Sequence, residues 1–321
     1  MKKFAILLLA LLLALPLAGC QKGQPDHSIN VYNWGEYIDE SIFDDFEAET
    51  GIHVNYKTFA SNEMLYSAIK GGGNSYDVII PSDYMVARMG EEGLLMELDY
   101  SKIPNAENID ERYLHPAYDT EQKYSLPYMW GTMGVLYNKT MVDEPVTSWK
   151  ILWNEKYKDK IFMYNSERDT IAITLRMLGY SMNSKDDAEL NAARDALIAQ
   201  KDLVLAYCGD EVKDKMIANE GAMTIAWSGD AFYCIDENPD LAYAIPEEGS
   251  NLWFDSLVIP KTSQHKAEAE KFIDFMCRPD IAKMNAEYIG YSTANEAGRE
   301  LLDDEIKNDP LRYPDLSTLK N

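Results

Sequence analysis

Histidine and cysteine are scarce in this chain, four of each among 321 residues, and their placement removes whole classes of chemistry. His27, His53, His115 and His265 are scattered, and no HExxH pair is present to hold a catalytic zinc. Cys20, Cys208, Cys234 and Cys277 contain no CxxC pair and match no zinc spacing. No glycine-rich run ends in the Lys-Ser/Thr of a phosphate cradle, and Gly71-Gly72-Gly73-Asn74 reads as a plain loop. No metal or other cofactor is therefore expected. Internal repeats, heptads and low-complexity tracts are absent as well. Basic residues number 30 against 54 acids, a formal net charge of −24. Such a field repels nucleic acid and anionic membrane surfaces, and it attracts cations.

Long apolar runs are lacking too, with one exception at the N-terminus. Met1-Lys2-Lys3 is basic, Phe4 to Leu15 is almost wholly Leu, Ile and Ala, and Pro16-Leu17-Ala18-Gly19-Cys20 follows. That order is a secretory signal, expected over 1–19, and the run is short for a permanent span. Leu17-Ala18-Gly19-Cys20 resembles the bacterial lipobox, in which the cysteine receives diacylglycerol and becomes the mature N-terminus. Cys20 is thus the expected lipidation site, and more than one acyl chain makes such anchoring stable. Residues 20–27, polar with Gly and Pro, suit a flexible tether. The protein is expected outside the cytoplasm, held to the membrane through lipid alone. Three cysteines then remain, an odd number, for which buried thiols are the expectation and a Cys208–Cys234 disulfide the alternative.

The body of the chain has the balance of a folded protein, 46% hydrophobic and 26% charged. Short β-rich runs alternate with helical patterns, which points to an α/β architecture. Strands are expected over 29–34, 53–59 and 76–81, with helices over 40–50 and 62–70 between them. A second series begins after Pro127, with strands over 161–164, 203–207, 222–227, 241–245 and 254–260. Helices are expected over 171–178, 188–200, 266–276 and 279–289. Two series in one chain suggest two lobes and a cleft, and ligands collect beyond the carboxyl ends of parallel strands. Distinctive residues sit at those ends: Trp34, Glu36 and Tyr37; Ser82 and Tyr84; Ser166 and Asp169; Trp227 and Asp230; Trp253 and Asp255.

Each of these has a plainer reading when taken singly. Trp34 or Trp253 suits a core, Asp255 a turn cap, and Asp169 a helix dipole with Arg168 as its ion-pair partner. The ordered set reads otherwise. Tyr32-Asn33-Trp34-Gly35-Glu36-Tyr37, Asp77-Val78-Ile79-Ile80-Pro81-Ser82, Pro127-Tyr128-Met129-Trp130-Gly131-Thr132, Trp253-Phe254-Asp255-Ser256-Leu257 and Ile289-Gly290-Tyr291 together resemble the spermidine/putrescine-binding proteins of bacterial ABC importers. The resemblance runs in order from about Ser28 to Pro314.

That resemblance implies a two-lobed periplasmic-binding-protein type II fold closing around its ligand by hinge motion, and no catalytic activity. It implies Trp34, Tyr37, Trp227, Trp253 and Tyr291 as walls for polyamine methylenes. Glu36, Asp169 and Asp255 are implied as carboxylates for the ammonium groups, with Ser82 and Tyr84 as polar contacts. Ser166 departs from the acidic residue of spermidine-binding members, whereas Trp227-Ser228-Gly229-Asp230 resembles the putrescine-binding pattern, so Asp230 is a further candidate and the preferred amine stays open. The implied partners are an ABC permease and its ATPase, and a monomer is expected. The lobes are expected as 28–130 plus 253–297 and 131–252 plus 298–321.

Two other readings use the same residue types. A glycosidase also sets a carboxylate pair in an aromatic cleft, but no catalytic spacing motif is present here. A receptor for a sugar does not need four acids, one for an amino acid should offer a basic residue of which Arg168 is the one candidate, and one for ferric iron favours paired tyrosines with histidine.

Overall fold

The computed structural model describes residues 27–72, 75–317 and 319. The expected signal, lipidation site and most of the tether lie outside them. In the first lobe β1 (Ser28–Trp34), α1 (Ile42–Thr50), β2 (His53–Phe59), α2 (Asn62–Lys70), β3 (Val78–Ile79) and α3 (Asp83–Glu91) succeed one another. β1 lies parallel to both β2 and β3, in register from Ser28 opposite His53 to Trp34 opposite Phe59. The crossover helix α1 buries Ile42 and Phe46 against that sheet, and Gly51, at φ 71°, ends it in the left-handed conformation that glycine adopts freely. Ser61 begins α2 by accepting a hydrogen bond from the Met64 amide at 3.2 Å.

The element that joins the lobes is β4 (Ser125–Asn138), a 14-residue strand buried along nearly its whole length. After it come β5 (Ile161–Tyr164), α4 (Glu167–Met177), α5 (Asp187–Gln200), β6 (Val204–Cys208), α6 (Val212–Ile217), β7 (Met223–Trp227), α7 (Ser228–Glu237) and β8 (Leu241–Ala244). β9 (Leu252–Val258), α8 (Lys266–Met276), α9 (Pro279–Ile289) and β10 (Ser292–Thr293) return to the first lobe, followed by the short α10 (Glu296–Glu300) and α11 (Asp304–Lys307). One continuous sheet results, ordered β2-β1-β3-β9-β4-β7-β5-β6, with β8 and β10 also on β4. Pairing is parallel at its outer strands and antiparallel around β4 and β9, so the sheet is mixed.

β4 changes partners part-way along. Ser125–Thr132 pairs with β9, whereas Met133–Tyr137 pairs with β7. Ser250 ties the crossing point: its Oγ accepts from the Met133 amide at 2.9 Å, and Asn251 O accepts from the same amide at 3.3 Å. Gly134 lets the second lobe close on β4, because a Cβ there would lie 2.4 Å from the Ala244 carbonyl oxygen. Separate hydrophobic cores form on either side of the crossing. The first lobe packs Ile29, Phe46, Trp130 and Phe272 on one sheet face and Tyr32, Leu65, Ile79 and Met89 on the other. The second is centred on Trp149, Phe162, Ile173 and Ile225.

The C-terminal segment departs from the expected lobe boundaries. Leu302 is buried in the first core, and Ile306, Tyr313 and Leu316 pack against it, while Leu311 meets the second. The reason is local: Tyr313 sets its ring edge-on to Trp130 at 5.9 Å, and the Ser292 hydroxyl donates to Arg312 O at 2.6 Å. β3 is shorter than expected, since its single pairing with β9 is Ile79 opposite Val258. Cys208, Cys234 and Cys277 are free and buried, as thiols, and no disulfide joins Cys208 to Cys234. No helix among the described residues is long and apolar enough to cross a membrane.

Candidate functional site

The first lobe presents the residues at the ends of β1, β3 and β9. Trp34 ends β1; its indole Nε1 donates to Ile80 O at 3.0 Å and its ring tilts onto Phe59 at 4.5 Å, which fixes its orientation. Glu36 follows in the turn with φ 52°, a backbone strain that side-chain residues keep mainly where surroundings or function require it. Tyr37 is buried edge-on to Tyr128 at 5.8 Å and to Tyr291 at 5.7 Å.

Trp253 and Asp255, two positions apart on β9, project to the same face. Trp253 meets the Tyr291 ring edge-on at 5.1 Å. Asp255 is only 5% exposed, and burial pushes its carboxyl up to about 7. The hydroxyls of Ser82 and Tyr37 approach it closely enough to oppose that rise, and the charge of Asp83 adds to it. Yet Asp255 Oδ1, Tyr37 OH and Trp253 Nε1 complete no hydrogen bond of ordinary geometry. Three unpartnered polar atoms on one buried wall are unusual, because each costs about 1–3 kcal/mol when left unsatisfied.

Ser82 stands at the N-terminus of α3 and is held by Asn62, whose Nδ2 donates to Ser82 Oγ at 3.1 Å. Tyr84 donates to Glu63 Oε1 at 3.3 Å. Its ring face is covered from the second lobe, where the Arg168 guanidinium lies 3.7 Å from the ring centroid. Arg168 thus stacks on Tyr84 across the cleft, whereas its expected place was an ion pair with Asp169; its planar guanidinium suits an aromatic face, and its charge still acts on the Asp169 carboxyl.

In the second lobe, Ser166 caps α4 and its hydroxyl donates to Asp169 Oδ2 at 2.7 Å. Burial raises the Asp169 carboxyl, against the pull of Ser166 and Arg168. Trp227 ends β7 and tilts onto Tyr164 at 4.6 Å. Asp230, in the first turn of α7, is already engaged. Tyr164 donates to its Oδ2 at 3.3 Å, and the ammonium of Lys213 lies 3.7 Å from its Oδ1. Burial raises the Asp230 carboxyl, and Lys213 is the main opposing influence. The Tyr291 hydroxyl, from the first lobe, also reaches toward it.

The structure therefore brings Tyr37, Ser82, Trp253, Asp255 and Tyr291 into one contiguous wall. It connects Tyr84 to the second lobe through Arg168, which also acts on Asp83 and Asp169. It connects Glu36 to Asp230 through the charge of Lys213. Trp34 and Trp227 contact ring neighbours of their own lobes. Four participants escaped the sequence reading: Asp83, Tyr164, Asp210 and Lys213. Asp210 and Lys213 follow the end of β6, so the strand-end rule already applied to other strands would have reached them. No group of three or more His, Cys, Asp or Glu that could hold a metal ion occurs among the described residues. Burial pushes the Cys234 thiol up to about 12, which leaves it inert at neutral pH.

Comparison with known proteins gives a consistent picture. Residues 41–314 match the profile of the family described as bacterial extracellular solute-binding protein. The chain is 37% identical over 324 residues, covering 100% of itself and 93% of the relative, to the spermidine/putrescine-binding periplasmic protein of Escherichia coli K12. It is similar in structure to the spermidine/putrescine ABC transporter substrate-binding protein PotD of Streptococcus pneumoniae, solved in complex with calcium and HEPES. That match has 46% identity and a TM-score of 0.82, covering 91% of this chain and 90% of that one. A putative spermidine/putrescine ABC transporter protein from Listeria monocytogenes matches at 45% identity and a TM-score of 0.87, with the same coverage.

Proposed function

This chain belongs to the bacterial extracellular solute-binding protein family, and we propose from that membership that it captures a polyamine, spermidine or putrescine, between its lobes and delivers it to an ABC importer. The observation that carries the ligand class is the wall of Asp255, Tyr37 and Trp253. A buried carboxylate with no ion-pair partner among the described residues, bordered by aromatic rings, lacks only a cation with apolar flanks. A polyamine supplies both, because its ammonium groups are joined by methylenes.

Each part of the cleft then has a task. One ammonium meets Asp255, with the Tyr37 and Ser82 hydroxyls at its side. Its methylenes lie against Trp34, Trp253 and Tyr291, and Trp227 closes them in from the second lobe. A cation against Trp or Tyr gains roughly 0.5–2 kcal/mol, and a charge-assisted hydrogen bond is about twice as strong as a neutral one. Asp169 and Glu36 take further ammonium charge, and Tyr84 adds a polar edge. Asp230 is the eleventh candidate, engaged by Lys213. An ammonium group moved out of water without such partners would be prohibitively unstable. Lobe closure about the crossing at Thr132–Met133 excludes water and strengthens every contact. The finer features of this reading are a lipid anchor on Cys20, a monomeric receptor, and an importer powered by an ATPase.

The test is isothermal titration of the refolded domain, freed of captured ligand, with putrescine, spermidine, spermine and a panel of sugars. One-to-one binding of a polyamine is the expected outcome. Silence toward every amine, with a sugar or amino acid bound instead, overturns the ligand and leaves the family standing.

A further inference from the structure

Among the described residues, the candidate acids Glu36, Asp169 and Asp255 have no counter-ion of their own lobe at ion-pair distance. The exception is Asp230, whose Oδ1 lies 3.7 Å from Lys213 Nζ. This is no casual surface pair: the two side chains are 17% and 23% exposed. Lys213 rises from α6, whose position is fixed when Val212 and Met216 bury in the second core. Its backbone oxygen also receives the Cys234 thiol at 3.9 Å. The acids that act on its ammonium are Asp230, Asp210 and, from the opposite lobe, Glu36, with the Cys234 thiol beside them. A primary ammonium on a four-carbon stem has the same head and much the same apolar body as one arm of a polyamine.

We propose that Lys213 is a specificity-determining residue, a tethered ammonium occupying the amine position on Asp230 that a longer polyamine would otherwise fill. This inference rests on the polyamine reading above. The consequence is selective. A ligand with two ammonium groups has enough acids in Asp255, Asp169 and Glu36 without Asp230. One with three or four gains nothing from Asp230 while Lys213 holds it, and meets the repulsion of a fixed positive charge. Removing the lysine charge frees a buried carboxylate beside the ligand space, which favours the ligand with an ammonium to spare. Lys213 does not reach the Asp255 end in this scheme, so the diamine should be indifferent to it.

The experiment is calorimetric titration of the full chain and of Lys213→Met with putrescine, spermidine and spermine at low salt. Methionine keeps the apolar stem and deletes the charge. The expected result is that spermidine and spermine bind at least tenfold more tightly to Lys213→Met than to the native protein, with putrescine changed less than threefold. In Lys213→Met/Asp230→Asn that gain should vanish, which separates an amine position on Asp230 from a general change in charge. An unchanged spermidine-to-putrescine ratio in Lys213→Met, with both amines still bound, overturns the proposal and leaves the polyamine reading intact. A gain that persists in the double variant overturns it as well. Failure of the native protein to bind any polyamine overturns both readings together. Native-like melting of both variants guards against misfolding, and Lys213→Gln provides the second uncharged side chain if methionine fails to fold.

Discussion

Asp255 makes the free protein less stable than it need be, and the pH dependence of that penalty can be worked out. An aspartate in an unfolded chain titrates near 3.9, whereas burial in the fold pushes this one up to about 7. Below about pH 4 both states hold the proton and no penalty exists. As pH rises from 4 to 7 the unfolded chain ionises first, so stability contributed by this group falls; above 7 the loss is complete, at roughly 2–4 kcal/mol. Asp255→Asn should therefore melt higher than the native protein at pH 8 and alike at pH 4, by calorimetry without ligand. Binding runs the other way. An ammonium needs the ionised carboxylate, so native affinity should weaken on acidification below 7, by up to about tenfold per pH unit, while Asp255→Asn stays flat and binds more weakly by about 2–5 kcal/mol at pH 8. Equal affinity of the two proteins at pH 8 would remove Asp255 from the site. This residue was legible as an acid beside a tryptophan at a strand end. Its lack of a cationic partner among the described residues was not, because partners come from tertiary neighbours. The same limit concealed Lys213 and Asp83, which in sequence look like ordinary surface charges near acids.

At the scale of elements, β4 is the axle of the molecule, and it was the strand least visible in sequence. Pro127, Gly131 and Gly134 break up its pattern, and burial on both faces removes the alternation that marks a half-exposed strand. Helices α2, α8 and α9 and strands β2 and β5, by contrast, appear where periodicity and end signals placed them. The amphipathic spacing of Leu65 and Ile69, and Gly290 with its φ of 81° closing α9, are local features that no distant contact needs to supply. Two glycines distinguish the fold from its closure. A Cβ on Gly134 would strike backbone within one lobe, at 2.4 Å from Ala244 O, so Gly134→Ala should destabilise the protein by about 1–3 kcal/mol. A Cβ on Gly229 would strike the Tyr291 ring at 2.5 Å, a contact made between lobes. Gly229→Ala should thus leave denaturant stability nearly native while weakening polyamine binding at least tenfold. An equal fall in stability for both variants would show that the Gly229–Tyr291 contact belongs to the fold and not to closure.

The whole molecule carries 54 acids against 30 basic residues, far more charge than the handful of carboxylates in the cleft. On the site proposed above, Asp255 sets how long a polycation stays, because it acts at contact distance and is shielded from salt by burial. The remaining field acts on arrival, over distances comparable with the Debye length of about 10 Å at 0.1 M salt. The two contributions separate in kinetics. On the proposed site, Trp34, Trp227 and Trp253 lie against the ligand and supply an intrinsic fluorescence signal, so stopped-flow mixing with spermidine can follow binding directly. The association rate constant should fall roughly tenfold between 20 mM and 500 mM salt, and the dissociation rate constant should change less than twofold. Putrescine, with fewer charges, should show a shallower slope. If salt acts mainly on dissociation, the ammonium contacts are solvent-exposed, and the buried wall of Asp255, Tyr37 and Trp253 is not where the ligand rests. If neither rate responds, the acidity of this chain serves solubility alone.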